Sequence, residues 1–147
     1  MKRLQGKVAL IAGASQGGTG TGTAIRLAAE GASVAICARS EPKLRATLDR
    51  VEQVGGHGVM FPCDLADPGG GRDTLVSRTE DAVGPVDYLV YVAAYAPYAP
   101  FADLGLDQMQ KALEVNLKAP LLAQQPGAVA RSTWCSPRRF WAPRATR

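Results

Sequence analysis

Histidine, cysteine and aromatic residues are scarce in this chain: one His, three Cys, three Phe and two Trp among 147 residues. The three cysteines (Cys37, Cys63, Cys135) form no C-x-x-C pair, and His57 stands alone in a glycine-rich turn. Clustered thiolates and imidazoles, the usual ligands of zinc, are therefore missing, and no metal site is expected. An odd number of cysteines without a framework fits free thiols in a reducing compartment. No stretch approaches the roughly 20 apolar residues of a membrane span. The apolar run near the start is too short for the core of a signal peptide and leads straight into glycines. The expectation is a cytoplasmic protein with no membrane partner. Residues 126–147 contain no Asp or Glu, there is no tyrosine after Tyr98, and there is no lysine after Lys118.

The content that remains, 46% hydrophobic and 20% charged, is that of one globular domain. Its charge is not evenly spread. Residues 1–125 carry 12 Lys+Arg against 13 Asp+Glu, so the net +4 comes from five arginines in residues 126–147. Both tryptophans lie in that same tail. The composition shift at Gln125 divides the chain into a body, 1–125, and an irregular basic tail, 126–147. Arginines beside aromatics are also the raw material of a nucleic-acid site, but the tail has no helical or strand period, and nucleic acid is not expected as a partner. Text of this kind, beginning abruptly inside a helical pattern, is what a shifted reading frame in a GC-rich gene produces. Resequencing from codon 120 and translating all three frames tests that origin.

Within the body, short continuous apolar runs alternate with helical patterns. Residues 7–12, 33–38, 59–61 and 86–93 read as strands, the first two as buried on both faces. Ala24, Leu27, Ala28 and Gly31 mark one helix; Leu44, Leu48 and Val51 mark a second, with Ser40 as N-cap and Pro42 in its first turn. Leu75, Val76, Thr79 and Val83 mark a third, and a last helix runs from about Asp107 towards Gln124. Val54 to Gly58 reads as a turn. Such alternation predicts a doubly wound α/β fold with a parallel sheet.

The glycine-rich stretch Gly13–Gly22 joins the first strand to the first helix, where such a sheet holds a dinucleotide. Glycines admit a close pyrophosphate, and free N–H groups at the helix start hold the anion. The stretch contains no lysine, which excludes a P-loop, and it does not match G-x-G-x-x-G because Thr23 occupies the last glycine position. At the end of the second strand an acidic residue would bond the ribose of NAD, whereas an arginine accommodates the 2′-phosphate of NADP. Ala38-Arg39-Ser40 has no carboxylate, and Arg39 can grip a phosphate with two N–H groups. NADP is favoured over NAD, with a solvated surface arginine as the alternative.

The run Leu4-Gln-Gly-Lys-Val-Ala-Leu-Ile-Ala-Gly-Ala-Ser15, the glycine loop and Leu27-Ala-Ala-Glu-Gly31 together resemble the opening of the short-chain dehydrogenase/reductase family. The resemblance covers residues 4–125, roughly the first half of a full-length member, and implies a Rossmann-like sheet ending after the fourth βα unit. The family motif T-G-x-x-x-G-x-G is altered here: Ala12 replaces Thr, and one extra residue, with Gly17 the candidate, separates Gly13 from Gly18 and Gly20. The resemblance implies that Gly13, Ser15, Gln16, Gly18 and Gly20 surround the pyrophosphate, leaving open which glycines touch it. It implies that Asp64, followed by Leu65, lies near the adenine amino group; a turn or N-cap role fits Asp64 equally well. Where the family has Asn-Asn-Ala-Gly, this chain has Tyr91-Val-Ala-Ala94, so only Ala93 matches.

One catalytic candidate remains. Met109, Ala112, Leu113, Leu117 and Leu121 form an apolar stripe, and Asn116 falls inside it as a buried residue. Pro120 cannot donate the helical bond to the Asn116 carbonyl. In the family an Asn in this setting supports the water that relays protons to the catalytic lysine; a purely structural Asn beside a Pro kink is the alternative. The family's upstream Ser and its Tyr-x-x-x-Lys pair have no counterpart here. An unperturbed hydroxyl with a pKa near ~10 is a poor proton exchanger at neutral pH. The expected activity is therefore NADP-dependent hydride transfer between carbonyl and alcohol on an unknown small molecule, with an incomplete catalytic set. The alternative is a non-catalytic nucleotide-binding or regulatory protein that pairs with a full-length relative. Self-association through the last helix is expected, because its stripe would lie partly uncovered.

Overall fold

The computed structural model describes residues 2–123, and the basic tail lies outside them. Four strands form one parallel sheet: β1 (Val8–Ala12), β2 (Ser33–Ala38), β3 (His57–Pro62) and β4 (Tyr88–Tyr91). Their spatial order is β3-β2-β1-β4. Ala12 pairs with Cys37 on one side and Tyr91 on the other, so the C-terminal ends of these strands lie level. The connecting helices are α1 (Thr19–Ala29), α2 (Glu41–Gln53) and α3 (Leu75–Val83). After β4 come α4 (Leu106–Leu113), a π-helical turn (Glu114–Lys118) and α5 (Ala119–Leu122).

The side-chain period of two divides β1 between two cores. Val8, Leu10 and Ala12 pack with Leu75, Val76 and Ala119 on the α3 and α5 face. Ala9 and Ile11 pack with Ala24, Ala28, Leu44, Leu48 and Val51 on the α1 and α2 face. All five residues of β1 are buried, as a central parallel strand requires. By contrast β3 is half-exposed along its length, and its terminal Pro62 is tolerated because the strand is an edge.

Three boundaries differ from the sequence expectation, the first being the fourth strand, expected over 86–93 and confined to Tyr88–Tyr91. His57 and Gly58 belong to β3 rather than to a turn, because Ser33 and Val34 supply ladder partners opposite them. The last helix is not continuous but is interrupted by the π turn. No described helix is long and apolar enough to cross a membrane.

Candidate functional site

At the C-terminal ends of the four strands a cleft of about 260 Å³ opens. Six residues singled out from the sequence line it: Gly13, Ser15, Arg39, Asp64, Leu65 and Ala93. They come from four separate strand ends, brought together because parallel strands in register finish level.

The loop after β1 is fixed by close approach. Gly13 has φ +100°, and a Cβ there would stand 2.5 Å from the Ala93 nitrogen. Gly20, in the first turn of α1, would carry its Cβ 2.4 Å from the Gly13 carbonyl oxygen. These two glycines let β1, the end of β4 and α1 converge on one point. Gly18 is the N-cap of α1 and offers no side chain to the free N–H groups, and the first turn holds no acid. The helix start is thus left open for an anion. Gln16 and Gly17 stand exposed on the loop, away from the cleft lining.

A buried pair of threonines anchors this loop from behind. Thr21 donates to the Ser15 carbonyl at 2.7 Å. The Thr47 hydroxyl lies 3.1 Å from both the Thr21 hydroxyl and the Ala14 carbonyl. Thr47 is fully buried on α2, so α2 fastens the glycine loop as well as covering the sheet. Helix-spaced threonines give no warning of such a role in the sequence.

Arg39 is exposed at the cleft and has no hydrogen-bond or ion-pair partner among the described residues. Arg3, Arg26, Arg45 and Arg72, by contrast, are each paired with a carboxylate. Next to Arg39, Ser40 occupies the N-cap of α2 without making a side-chain cap bond. Arg39 thus stands at the cleft beside Ser40 and the start of α2, whose first turn carries Glu41. Asp64 makes a local turn, its Oδ1 accepting from the Ala66 N–H at 3.0 Å, while it still lines the cleft.

Beyond β4 the π turn shapes the opposite wall. The Ala119 N–H donates five residues back, to the Glu114 carbonyl. The Val115 carbonyl instead accepts the Tyr91 hydroxyl. Burial pushes the Tyr91 phenol far above its ordinary pKa, so it stays a neutral donor. Pro120, lacking an N–H, removes the next helical donor. This local rearrangement turns Val115 and Ala119 towards the sheet, where both are buried.

Asn116 is consequently exposed rather than buried in the apolar stripe, and it does not line the cleft. The π turn adds a residue and shifts the phase of the helix face. Its amide nevertheless binds the loop after β4: Oδ1 accepts from the Tyr95 N–H and Nδ2 donates to the Tyr95 carbonyl, both at 2.9 Å. The side chain thus pairs with Tyr95 as a strand would. Tyr95 lines the cleft together with Lys111, whose ammonium lies 5.1 Å from the Tyr95 ring centre. Ala38, Val92, Ala94, Val115 and Cys63 complete the lining, and none of them is a candidate from the sequence. Among the described residues no group of three His, Cys, Asp or Glu is placed to hold a metal.

The family model for short chain dehydrogenases matches residues 7–130. A short chain dehydrogenase of Pseudocercospora fijiensis is 38% identical over 82% of this chain and 39% of its own length. The L-rhamnose 1-dehydrogenase (NAD(P)(+)) of a Sphingomonas species is 33% identical over 87% of this chain and 50% of its own length. Among solved structures, a short chain dehydrogenase from Burkholderia cenocepacia in complex with NADP is 38% identical. It superposes with a TM-score of 0.75 over 87% of this chain and 51% of that one. The chain thus spans about half the length of the relatives it matches, or less.

Proposed function

This chain belongs to the short chain dehydrogenase family, and from that premise we propose that its cleft binds NADP in preference to NAD. The observation that carries the reading is Arg39, a guanidinium at the end of β2 without a partner among the described residues, in a stretch Ala38-Arg39-Ser40 that holds no carboxylate. Arg39 and Ser40 take the 2′-phosphate. The N–H groups opened by Gly13, Ser15, Gln16, Gly18 and Gly20 take the pyrophosphate. Asp64 and Leu65 border the adenine, and Ala93 forms the wall at the end of β4. The steric fit of Gly13 and Gly20 is in keeping with a backbone drawn in to meet a large anion. A relative of known structure bound to NADP supports the same assignment.

When bound, the nicotinamide ring supplies hydride acceptance or donation, and the class of reaction is interconversion of a carbonyl and an alcohol. What this chain's own residues contribute is binding and positioning. Asn116 holds Tyr95 and with it the loop bordering the reactive end of the cleft. The 147 residues hold no Tyr-x-x-x-Lys, so binding is expected from this chain without efficient turnover. The experiment is a fluorescence titration of the purified full chain with NADPH and with NADH, followed by turnover assays on a panel of carbonyl compounds. Tighter binding of NADPH with no turnover is the expected result. Equal binding of both cofactors, or of neither, would refute the assignment to Arg39.

A further inference from the structure

Two buried hydroxyls join the glycine loop to α1 and α2. Thr21, in the first turn of α1, and Thr47, in the middle of α2, are both at most 1% exposed. A hydroxyl brings one proton, so the pair has two to place. Thr21 donates to the Ser15 carbonyl at 2.7 Å, which leaves its own oxygen as an acceptor. Thr47 has three oxygens at 3.1 Å: Thr21 Oγ1, the Ala14 carbonyl and the Lys43 carbonyl. The Lys43 carbonyl lies inside α2, whose backbone supplies a donor of its own. Ala14 is fully buried, so it is the Ala14 carbonyl that the Thr47 proton spares an unpaired state. The flanking backbone is also tied. The Gly13 and Ala14 N–H groups donate to the Cys37 carbonyl at 2.9 and 3.1 Å, and the Gly18 N–H donates to the Ser15 carbonyl at 3.3 Å.

We infer that Thr21 and Thr47 are positioning residues for the diphosphate group of the bound dinucleotide, acting through the peptide planes they hold. In a trans peptide the carbonyl of one residue and the N–H of the next point in opposite directions. Drawing the Ala14 carbonyl onto Thr47 therefore turns the Ser15 N–H away from α2, on the side where Ser15 lines the cleft. Drawing the Ser15 carbonyl onto Thr21 turns the Gln16 N–H outward in the same way. Both donors are set before an anion arrives, and binding spends nothing on reorganising them. The stretch Gly13–Gly22 contains no Lys or Arg, so directed N–H groups are what it has to offer a diphosphate. Neither threonine lines the cleft, and each acts through the loop rather than on the ligand. The identity of the anion rests on the dinucleotide reading; the direction of the two N–H groups does not.

The test is calorimetric titration of the full chain with NADPH and with 2′-AMP, which keeps the adenosine and the 2′-phosphate but has no diphosphate. Thr47→Val and Thr21→Val keep the shape of the side chain and remove its hydroxyl. Each should weaken NADPH binding about three- to tenfold and change 2′-AMP binding by less than about twofold. Thr47→Ser and Thr21→Ser return the hydroxyl and should restore NADPH binding. A drop in melting temperature with the ratio of the two affinities unchanged would make the threonines structural only and overturn the proposal. Should a valine variant fail to fold, amide NMR of the parent chain decides. The Ser15 and Gln16 amide protons should move downfield with NADPH and with inorganic pyrophosphate, and stay nearly still with 2′-AMP. NADPH that binds without moving them would overturn the proposal. A chain that answers pyrophosphate at these two amides, yet binds neither NADPH nor 2′-AMP, would sustain the positioning role and defeat the dinucleotide reading. Silence towards all three ligands would overturn both.

Discussion

The proposed preference for NADP rests on a single guanidinium, so replacing it should alter affinity without touching the fold. Arg39 is exposed and unpaired among the described residues, and its loss breaks no internal contact. Hydrogen bonds to charged groups contribute about 1.5–3 kcal/mol. Arg39→Ala should therefore weaken NADPH binding by about 10- to 100-fold, leave NADH binding nearly unchanged and leave the melting temperature where it was. Parallel titrations with the two cofactors decide it; an equal loss for both would remove Arg39 from the 2′-phosphate site. Arg39 was legible in the sequence because a strand end is a position with a fixed geometric meaning in a parallel sheet. Tyr91, Thr47 and Lys111 were not legible. Their positions depend on which way a helix face turns and on where a hydroxyl meets a carbonyl from a distant element. Tyr91 was noted only as a departure from Asn-Asn-Ala-Gly, yet its hydroxyl replaces a missing helical donor.

At the scale of elements, the π turn is the feature that links the sheet to the cleft's far wall. Pro120 points to an opening at the Asn116 carbonyl, but the carbonyl that takes an outside donor is that of Val115, because the π turn shifts the phase in a way that a period of 3.6 does not show. Tyr91→Phe removes the hydroxyl that donates to the Val115 carbonyl and should cost about 1 kcal/mol. Hydrogen exchange at Ala119 and Leu121 should report whether the turn relaxes towards a regular helix; unchanged exchange and melting would mean the Tyr91 bond is dispensable. A second tie runs through Glu114, which joins Arg72 and Lys118. The Lys118 hydrogen bond, then that from Arg72, hold its carboxyl below the ordinary value of 4.5. A depressed folded-state pKa means stability that is present above the ordinary carboxylate range and is lost as the pH falls through the folded value. Glu114→Gln should accordingly melt lower than the parent chain at neutral pH, and the two curves should converge as acid protonates the parent. Melting curves from pH 7 down to about 3 would show the convergence; a gap that persisted in acid would assign the effect to packing instead.

At the scale of the whole molecule, the described residues present one apolar helix face outside the two cores. Met109, Leu113, Leu117 and Leu121 recur every four residues and are 42–57% exposed, with Leu106 at 82%. The alternation of strands and helices disclosed a parallel sheet, and the apolar stripe was legible as a stripe. Its direction was not, because the sheet takes up Val115 and Ala119 instead and leaves the leucines outside. Contiguous exposed leucines of this kind favour association, since covering apolar surface yields about 25 cal/mol per Å². β4 adds to this tendency, being an edge strand among the described residues, with backbone groups available for pairing. We therefore expect sedimentation velocity to give weight-average masses that rise with concentration. Leu113→Lys combined with Leu117→Lys should shift the distribution towards 15.5 kDa monomer, because two ammonium groups on each face repel a second copy without entering the core. Both side chains already face solvent, so the double variant should keep its melting temperature. If the parent chain sediments as a single monomer across the same range, the stripe does not drive association. If the variant associates as strongly as the parent, the contact lies at the β4 edge, and lysine at Val90, in the middle of that strand, becomes the substitution to make next.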